Sequence, residues 1–331
     1  MKKKIRRLAA LLAFAMVFSL AACSSGGAGT SSGQSPAQAS SAKASSQGEK
    51  PVIRLGMMSS SDVIPFALIN RNKLDEKYGF TLDLQVFTSA KDRDAALQAG
   101  EIDGVLTDYV GVCMYRNAGL DVRITGITDG DYLLLAGKST GIENLSQIKG
   151  KSIAISQNTL IEYALDRILE KNRMQPADVE KEVVSRIPDR LELLRNNKID
   201  LVLLPEPFAT LALDDGAVEL SSANTIGLYP AVSAFTGKVL EKEGRAIRNL
   251  YRAYNEAVDY MNSTDLSEYE STVIDAVGYP KEMNGKIKLK KFRRSKLPPK
   301  EDVEDAIQWA STKGLCKSDL SYDSMIDDVA S

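Results

Sequence analysis

Residues 145–155 read Leu-Ser-Gln-Ile-Lys-Gly-Lys-Ser-Ile-Ala-Ile, and they mark the point at which the pattern of the chain starts again. Before this segment, short apolar runs alternate with amphipathic stretches, beginning with a predicted strand at 52–57 and a predicted helix at 63–77. After it the same alternation returns, with a strand at 152–156 and a helix at 159–171. Two successive series of alternating strands and helices predict two α/β lobes in one chain.

The other predicted elements follow from apolar periodicity and from residues that begin or end helices. Asp62 and Asp108 stand where helix N-caps are expected, and Gly100 stands where a helix should end. The remaining strands are predicted at 81–87, 103–106, 122–128, 132–136, 182–185 and 200–204. The remaining helices are predicted at 90–99, 109–118 and 188–196, after 205–207, and through most of the tail from residue 240.

The first 50 residues have the composition of a targeting segment followed by a tether. Five basic residues within positions 2–7 precede an apolar run at 8–20, which is shorter than the roughly 20 residues of a membrane span. Ala21, Ala22 and Cys23 follow, an order that resembles a bacterial lipobox. The resemblance implies a signal peptide at 1–22 and a lipid on the Cys23 thiol. The alternative is an ordinary signal peptide with an incidental cysteine.

The segment at 23–50 is predicted to be the lipidated cysteine and a flexible linker. It consists almost entirely of Ser, Gly, Ala and Gln, with no aromatic residue. Such a composition buries too little apolar surface to offset the entropy lost on ordering. The folded body is therefore expected to begin near residue 51.

Composition excludes several functional classes. Without residues 1–22 the chain has 37 basic and 44 acidic side chains, a net charge of −7, so we expect no binding of nucleic acid. There is no histidine, which excludes Ser-His-Asp catalysis and His-ligated metal, and no Gly-rich phosphate loop is present. We therefore expect no cofactor and no metal. Cys113 and Cys316 are interpreted as reduced thiols, with a disulfide as the alternative.

Several segments resemble the type 2 periplasmic binding proteins, the solute receptors of ABC importers. The similarity is nearest to the branch for nitrate, sulfonate, taurine and thiamine-pyrimidine precursors, and it runs from about Val52 to the C-terminus. Asn197 stands where that family usually has glycine. The segments are Gly100-Glu-Ile-Asp-Gly104, residues 145–155, Asn197-Lys-Ile-Asp200 followed by Pro205-Glu-Pro207, and a tail that includes Leu297, Trp309 and Leu315.

The resemblance implies a two-lobed α/β clamshell, each lobe a mixed sheet flanked by helices. Lobe 1 would comprise 51–135 and 235–331, and lobe 2 would comprise 136–234. The implied function is that of a monomeric, lipid-anchored receptor on the outer face of the cell membrane. It would capture a small polar molecule between its lobes and deliver it to the permease and ATPase subunits of an importer. A ligand sensor without transport, or an enzyme on the same fold, are the alternatives.

Ligands of open α/β sheets bind beyond the carboxyl ends of the strands, so the loops there supply the candidate ligand-binding residues. Helix capping is the competing interpretation for the loop at 58–62, for Thr88 and Ser89, and for Asp108. For Glu206 it is a first-turn carboxylate that complements the helix dipole, and for Tyr109, Tyr229 and Ser233 it is packing. If Asp62, Asp108 or Glu206 faces the cleft unpaired, it favours a ligand with an amine or several N–H donors. The candidates are Ser59, Ser60, Asp62, Thr88, Ser89, Thr107, Asp108 and Tyr109 in lobe 1, Gln157, Asn158, Thr159 and Glu206 in lobe 2, and Tyr229 and Ser233 near the return crossing.

A basic run at 286–296 contains seven Lys and Arg residues alternating with apolar Ile287, Leu289 and Phe292. One interpretation is an edge strand or turn with a solvated basic face. The other is a patch that meets lipid headgroups or the permease.

Overall fold

The computed structural model of the chain describes residues 50–87 and 89–330. The expected signal peptide, Cys23, nearly all of the linker and the candidate Thr88 lie outside the described residues. Ten strands are present: β1 Val52–Met57, β2 Thr81–Val86, β3 Gly104–Asp108, β4 Val122–Ile127, β5 Leu133–Ala136, β6 Ser152–Ile155, β7 Glu180–Val183, β8 Leu201–Leu204, β9 Val218–Ser222 and β10 Ala231–Thr236.

Helices separate most of these strands. Most of the helices lie within a few residues of their predicted bounds. The long α8 is interrupted by non-helical backbone at Glu243. The helices are α1 Ile64–Arg71, α2 Leu74–Tyr78, α3 Ala90–Ala99, α4 Tyr109–Asn117, α5 Leu160–Lys171, α6 Ile187–Arg195, α7 Phe208–Asp214, α8 Gly237–Ser263, α9 Glu270–Val277, α10 Lys300–Thr312 and α11 Tyr322–Met325.

The strands form two five-stranded mixed sheets with matching topology. The first sheet has the order β2-β1-β3-β10-β4, in which β1 is parallel to β2 and β3, while β10 is antiparallel to β3 and β4. The second has the order β7-β6-β8-β5-β9, in which β6 is parallel to β7 and β8, while β5 is antiparallel to β8 and β9. Each sheet therefore contains one antiparallel strand that arrives directly from the other lobe, and the prediction of two α/β lobes is confirmed.

The chain passes between the sheets twice. The first crossing, residues 128–132, joins β4 to β5, and the second crossing, residues 223–230, joins β9 to β10. The boundaries expected from sequence, 135/136 and 234/235, fall inside β5 and β10. They lie a few residues too far along because both strands are mostly apolar, and composition does not reveal which sheet such a strand joins.

The apolar residues form cores on both sheets. One cluster packs β1 against α1, α8 and α9, with Phe66, Leu250 and Tyr254 almost fully buried. A second cluster runs across both lobes, because α4 of lobe 1 and α5 of lobe 2 belong to the same set of contacting residues. Cys113 and Cys316 are both free and buried in this second cluster, which confirms the expectation of two reduced thiols.

One local prediction was wrong and another was half right. The helix expected at 63–77 is divided into α1 and α2, because Lys73 adopts a left-handed conformation with φ of 53°. For the basic run an edge strand or a turn was one interpretation; residue 286 lies in a turn, but residues 286–299, which we call the C-terminal arm, form neither helix nor strand. The arm instead crosses lobe 1, where the Ile127 amide donates to the Lys296 carbonyl at 2.9 Å.

The C-terminal helix α10 contacts both lobes. It packs on α4, and the single tryptophan of the chain, Trp309, donates from Nε1 to Asp166 of α5 at 3.0 Å. Tyr163 of α5 donates to Asp305 of α10 at 2.8 Å. Within the described part of the chain, no helix combines the length and the apolar character needed to cross a membrane.

Candidate functional site

The first crossing is fixed through the Asp131 carboxylate. Asp131 is 7% exposed and accepts hydrogen bonds from the Ser222 hydroxyl at 3.0 Å and the Asn224 amide at 3.0 Å, as well as from the Tyr132 amide. Ser222 ends β9, and Asn224 lies in the second crossing. The two crossings are therefore joined to each other beside the second sheet.

The C-terminal arm attaches to both crossings through charge. Lys290 Nζ lies 2.9 Å from Asp131 Oδ2. Arg293 donates to Asp129 from its Nε at 2.7 Å and from its backbone amide at 2.6 Å. The Arg293 guanidinium also lies over the Tyr229 ring, 3.6 Å from its centre. Two cations of the basic run thus lie at the two crossings, which we call the hinge. Tyr229 packs in this hinge, which was the alternative to ligand contact for this residue.

Asp62 lies against the first crossing, in the single 3-10 turn Ser61–Val63 that leads into α1. Helix α1 begins at Ile64 with Val63 as its N-cap, so the expectation that Asp62 caps it was wrong. The carboxylate is only 4% exposed and accepts a hydrogen bond from the Thr128 hydroxyl at 2.7 Å. Burial raises the pKa of Asp62, although the bond from Thr128 opposes this shift. The first turn after β1 is therefore tied to the hinge by a desolvated acid.

Asp108 caps α4, as its sequence position predicted. Its Oδ1 accepts from the Gly111 amide at 2.8 Å, and burial raises the pKa of the carboxyl. Tyr132 of the first crossing is 8% exposed. Burial, together with the nearby Asp62 and Asp108 carboxyls, raises the pKa of Tyr132 well above its ordinary value. Tyr132 is therefore a buried phenol of the first crossing whose ionisation both acids oppose.

Neither of these two acids forms an ion pair with any residue in 50–87 or 89–330. In the same ranges, no group of three or more acidic or Cys side chains comes together in a way that could hold a metal ion.

Three candidate hydroxyls in lobe 1 are buried without a hydrogen-bond partner among the residues that the structure describes: Ser60 Oγ, Thr107 Oγ1 and Tyr109 Oη. Thr107 Oγ1 is turned toward the first turn of α4, since a Cβ placed on Gly111 would lie 2.5 Å from it. Ser59 is directed elsewhere, toward Gly278 after α9. Of these side chains, Ser60 is the nearest in sequence to Asp62.

The lobe 2 candidates surround the beginnings of α5 and α7. The Thr159 hydroxyl accepts from the Ile161 amide at 3.2 Å and caps α5, while the Asn158 amide donates to Glu162 Oε2 at 2.8 Å. Glu206 Oε2 accepts from the Thr210 amide at 3.1 Å. Thr159 thus caps α5, a role that was not anticipated for it. Gln157 is exposed and makes no hydrogen bond to another described residue.

Two candidates lie away from this cluster. Ser89 caps α3 by accepting from the Asp92 amide at 3.2 Å. Ser233 is 1% exposed and bonds to the Tyr251 hydroxyl at 2.7 Å inside lobe 1. The structure therefore does not bring Ser233 to the residues that end the parallel strands.

A groove of about 450 Å³ lies between the lobes on another side, next to residues 226–228 and between α5 and α10. Tyr163 and Arg167 both donate to Asp305 in this groove, whereas the side chains of Lys171, Glu301 and Asp302 make no hydrogen bond or ion pair with another described residue. We place the candidate site instead at the strand ends beside the crossings, because open α/β sheets bind ligands beyond the carboxyl ends of their strands.

Sequence reasoning missed most of the hinge. Thr128, Asp129, Asp131 and Tyr132 were not among the candidates, although Thr-Asp-Gly-Asp-Tyr is a dense polar segment between two apolar strands. Their partners are distant in sequence: Arg293 is 164 residues from Asp129. A polar segment placed where the chain was expected to change lobes is the signal that could have identified them.

Comparison with known proteins supports this architecture. Residues 53–263 match the family model described as NlpA lipoprotein. A curated relative, the putative ABC transporter periplasmic binding protein BHWA1_00430 of Brachyspira hyodysenteriae (strain ATCC 49526 / WA1), is 25% identical over 245 residues. That match covers 69% of this chain and 65% of the relative, so the similarity spans about two thirds of each protein.

Solved structures share the fold at low sequence identity. The periplasmic aliphatic sulphonate binding protein SsuA from Escherichia coli superposes with a TM-score of 0.71 and 16% identity, over 84% of this chain and 92% of that one. The periplasmic nitrate-binding protein NrtA from Synechocystis PCC 6803 gives a TM-score of 0.66 and 13% identity, over 84% of each chain. The expected two-lobed binding-protein fold is confirmed.

Proposed function

The chain belongs to the NlpA lipoprotein family, and on this premise we propose that it is the extracytoplasmic solute-binding component of an ABC importer. In this role it captures a small polar organic molecule between its lobes and presents it to the permease, while ATP is hydrolysed by a separate subunit. The name of the Brachyspira relative supports this role, and so does the fold shared with two periplasmic binding proteins.

The observation that carries the proposal is the pair of matched sheets joined by two short crossings. Parallel strands β1 and β3 of one sheet, and β6 and β8 of the other, all run into loops or helix starts rich in polar groups. Open α/β sheets bind ligands at such edges, and two lobes joined by short crossings can close around a ligand by hinge motion. We call the region between the strand ends of the two sheets, beside the crossings, the seam. We assign Asp62, Asp108 and Tyr132 to its lobe 1 wall.

Opening about the crossings would separate α10 from α5 and move Trp309 relative to Asp166. Because Trp309 is the only tryptophan, its fluorescence is an internal reporter of that motion.

We further propose that lipid on Cys23 anchors the protein to the outer face of the membrane, with residues 24–50 as a tether. Family membership and the lipobox-like order of residues support this anchor. The test is mass spectrometry of the mature N-terminus together with fractionation of Cys23→Ser. The variant is expected to leave the membrane fraction, and a variant that stayed there would contradict the anchor.

The solute-binding role is tested by thermal shift on the mature chain against thiamine precursors, sulfonates, nitrate and amino acids. A ligand at 100 times its Kd stabilises the folded state by about 2.7 kcal/mol. We expect such a ligand to change Trp309 emission as well. Trp309→Phe is the control for the optical signal, because it should retain the thermal shift and lose the emission change. Chemical turnover of the bound compound would contradict the proposal and favour an enzyme.

A further inference from the structure

We infer that the seam selects a ligand that presents N–H donors, such as an amine, an amidine or an aminoheterocycle, and disfavours small oxyanions. The inference rests on the proposed solute-binding function and concerns the chemistry of its ligand. It separates this chain from the two structural relatives named above, which are named for sulphonate and nitrate.

The first observation is the absence of basic residues where the strands end. No Lys or Arg occurs in the loops after the inner strands β1, β6 and β8, at 58–63, 156–159 and 205–207, or in the crossings at 128–132 and 223–230. An oxyanion bound there would have no cation from these segments. Arg186, after the edge strand β7, is a cation on the rim, but its side chain is 76% exposed and lies 3.6 Å from Asp189.

The second observation concerns helix N-termini, which are the other common anion sites in α/β folds because their amides point outward. At this seam side-chain carboxylates already accept from those amides. Asp108 accepts from the Gly111 amide of α4, Glu162 from the Asn158 amide just before α5, and Glu206 from the Thr210 amide of α7. An incoming nitrate or sulfonate would have to displace a carboxylate and approach its charge.

The third observation concerns the cations that lie nearest to these segments, each of which is paired with an acid. Arg293 and Lys290 approach the crossings and pair with Asp129 and Asp131. Lys181 and Lys313 both pair with Glu162, and Arg93, which donates to the Leu106 carbonyl of β3, pairs with Asp94. Their charges are therefore compensated within the protein.

What the seam does present is hydrogen-bond acceptors. Asp62 Oδ2 is bonded to Thr128 and Asp108 Oδ1 to Gly111, and neither acid forms an ion pair within the described residues, although the charge of the buried Arg93 lowers the pKa of Asp108. A desolvated carboxylate without an ion-pair partner is costly to the folded protein. A ligand N–H group, cationic or neutral, would supply the missing partner and form a charge-assisted hydrogen bond.

The test uses a small-molecule extract of the cells that express the chain, divided on an anion exchanger. Each fraction is added to the mature protein and its melting temperature is measured. We expect the unretained fraction, which holds cations and neutral molecules, to raise the melting temperature. The retained anionic fraction, and nitrate or ethanesulfonate at 10 mM, should leave it unchanged. Stabilisation by the anionic fraction or by either pure anion would overturn the inference.

Two isosteric variants test whether Asp62 or Asp108 contacts the ligand. Asn can still accept from Thr128 in Asp62→Asn and can still cap α4 in Asp108→Asn, so both variants should fold. The active compound, purified from the unretained fraction, is expected to bind at least one variant about 10- to 100-fold more weakly. Asp259→Asn is the matched control, because Asp259 is an exposed partner of Arg294 on α8 and should leave affinity unchanged.

The outcomes separate this inference from the function on which it rests. If the active compound binds both variants as tightly as the wild type, the acids do not recognise it and the inference is wrong while solute binding stands. If neither fraction stabilises the protein and native mass spectra contain no bound small molecule, the solute-binding function itself fails, and the inference fails with it.

Discussion

The seam between the lobes contains two pairs of acids with opposite surroundings. Asp129 and Asp131 in the first crossing each have a basic partner from the C-terminal arm. Asp62 and Asp108, at the ends of the parallel strands, have hydroxyl or amide donors and no ion pair within the described residues. All four acids lie near the same hinge, yet the C-terminal arm forms ion pairs only with the two that lie in the first crossing.

This difference distinguishes structural acids from acids available for recognition. A buried acid that has a fixed cation stabilises one arrangement of the chain, and removing the cation is costly. A buried acid without a cation destabilises the folded chain until another partner arrives. On this view the C-terminal arm stabilises the hinge, while the carboxylates of Asp62 and Asp108 remain able to form an ion pair or a further hydrogen bond with a ligand.

The largest expected effect comes from Arg293→Ala. Its loss would leave Asp129, whose side chain is 10% exposed, without its cation and would remove the contact over Tyr229. We expect the free energy of unfolding to fall by about 2–4 kcal/mol, because an unpaired desolvated carboxylate remains. Urea denaturation of the mature chain measures this change.

Arg294→Ala is the matched control for that prediction. Arg294 is the next residue and is also paired with an acid, Asp259, but the two side chains are 65% and 50% exposed. A solvated pair contributes only about 0–1 kcal/mol. Equal losses for the two variants would contradict the claim that the arm stabilises the hinge through Arg293.

The fold was predictable from sequence where its signals are local. Ser89 and Gly100 bracket α3, and the predicted bounds at 90–99 agree with Ala90–Ala99. Asp108 was expected to cap α4 and does so. Each of these features depends on residues a few positions apart, which a single sequence displays directly. The break at Lys73 was missed because apolar periodicity continues through it and neither Gly nor Pro marks the left-handed residue.

The site was less predictable, because its decisive contacts join distant residues. Asp62 reads as a helix cap in sequence, yet its partner Thr128 is 66 residues away. The basic run reads as a solvated surface, whereas Arg293 reaches an acid in the crossing. Local pattern identifies the residue types at strand ends but does not say which acids will be neutralised by a tail that returns to the hinge.

A smaller effect, of opposite sign, is expected from Asp62→Asn. Burial raises the pKa of Asp62 in the folded chain, so the free energy of unfolding falls as pH rises from the unfolded-state pKa towards that raised value, and the full penalty is present above it. Asn removes the charge and keeps an acceptor for Thr128. We expect the unliganded variant to be more stable than the wild type by about 1–2 kcal/mol at pH 8, measured by urea denaturation.

The pH dependence gives this prediction its control. Below the unfolded-state pKa of about 3.9, both states of the wild type hold the proton, so the advantage of Asp62→Asn should disappear toward pH 4 and below. The titratable groups beside Asp62 are Asp129, Tyr132 and Tyr254, and they are the same in both proteins. A stability difference independent of pH would mean that the charge of Asp62 is not its cause.

The smallest expected loss of stability comes from Lys290→Ala, which removes the cation of Asp131 and not that of Asp129. Lys290 is 70% exposed, and Asp131 keeps the Ser222 hydroxyl and the amides of Tyr132 and Asn224 when Lys290 is truncated. Lys290→Ala should therefore lower the free energy of unfolding by only about 0.5–1 kcal/mol.

Lys288→Ala is the control, since Lys288 is exposed and forms no ion pair with another described residue, and it should change stability by less than about 0.5 kcal/mol. A loss for Lys290→Ala as large as that for Arg293→Ala would mean that the other three donors do not compensate Asp131. The hinge would then depend on both cations of the arm rather than chiefly on Arg293.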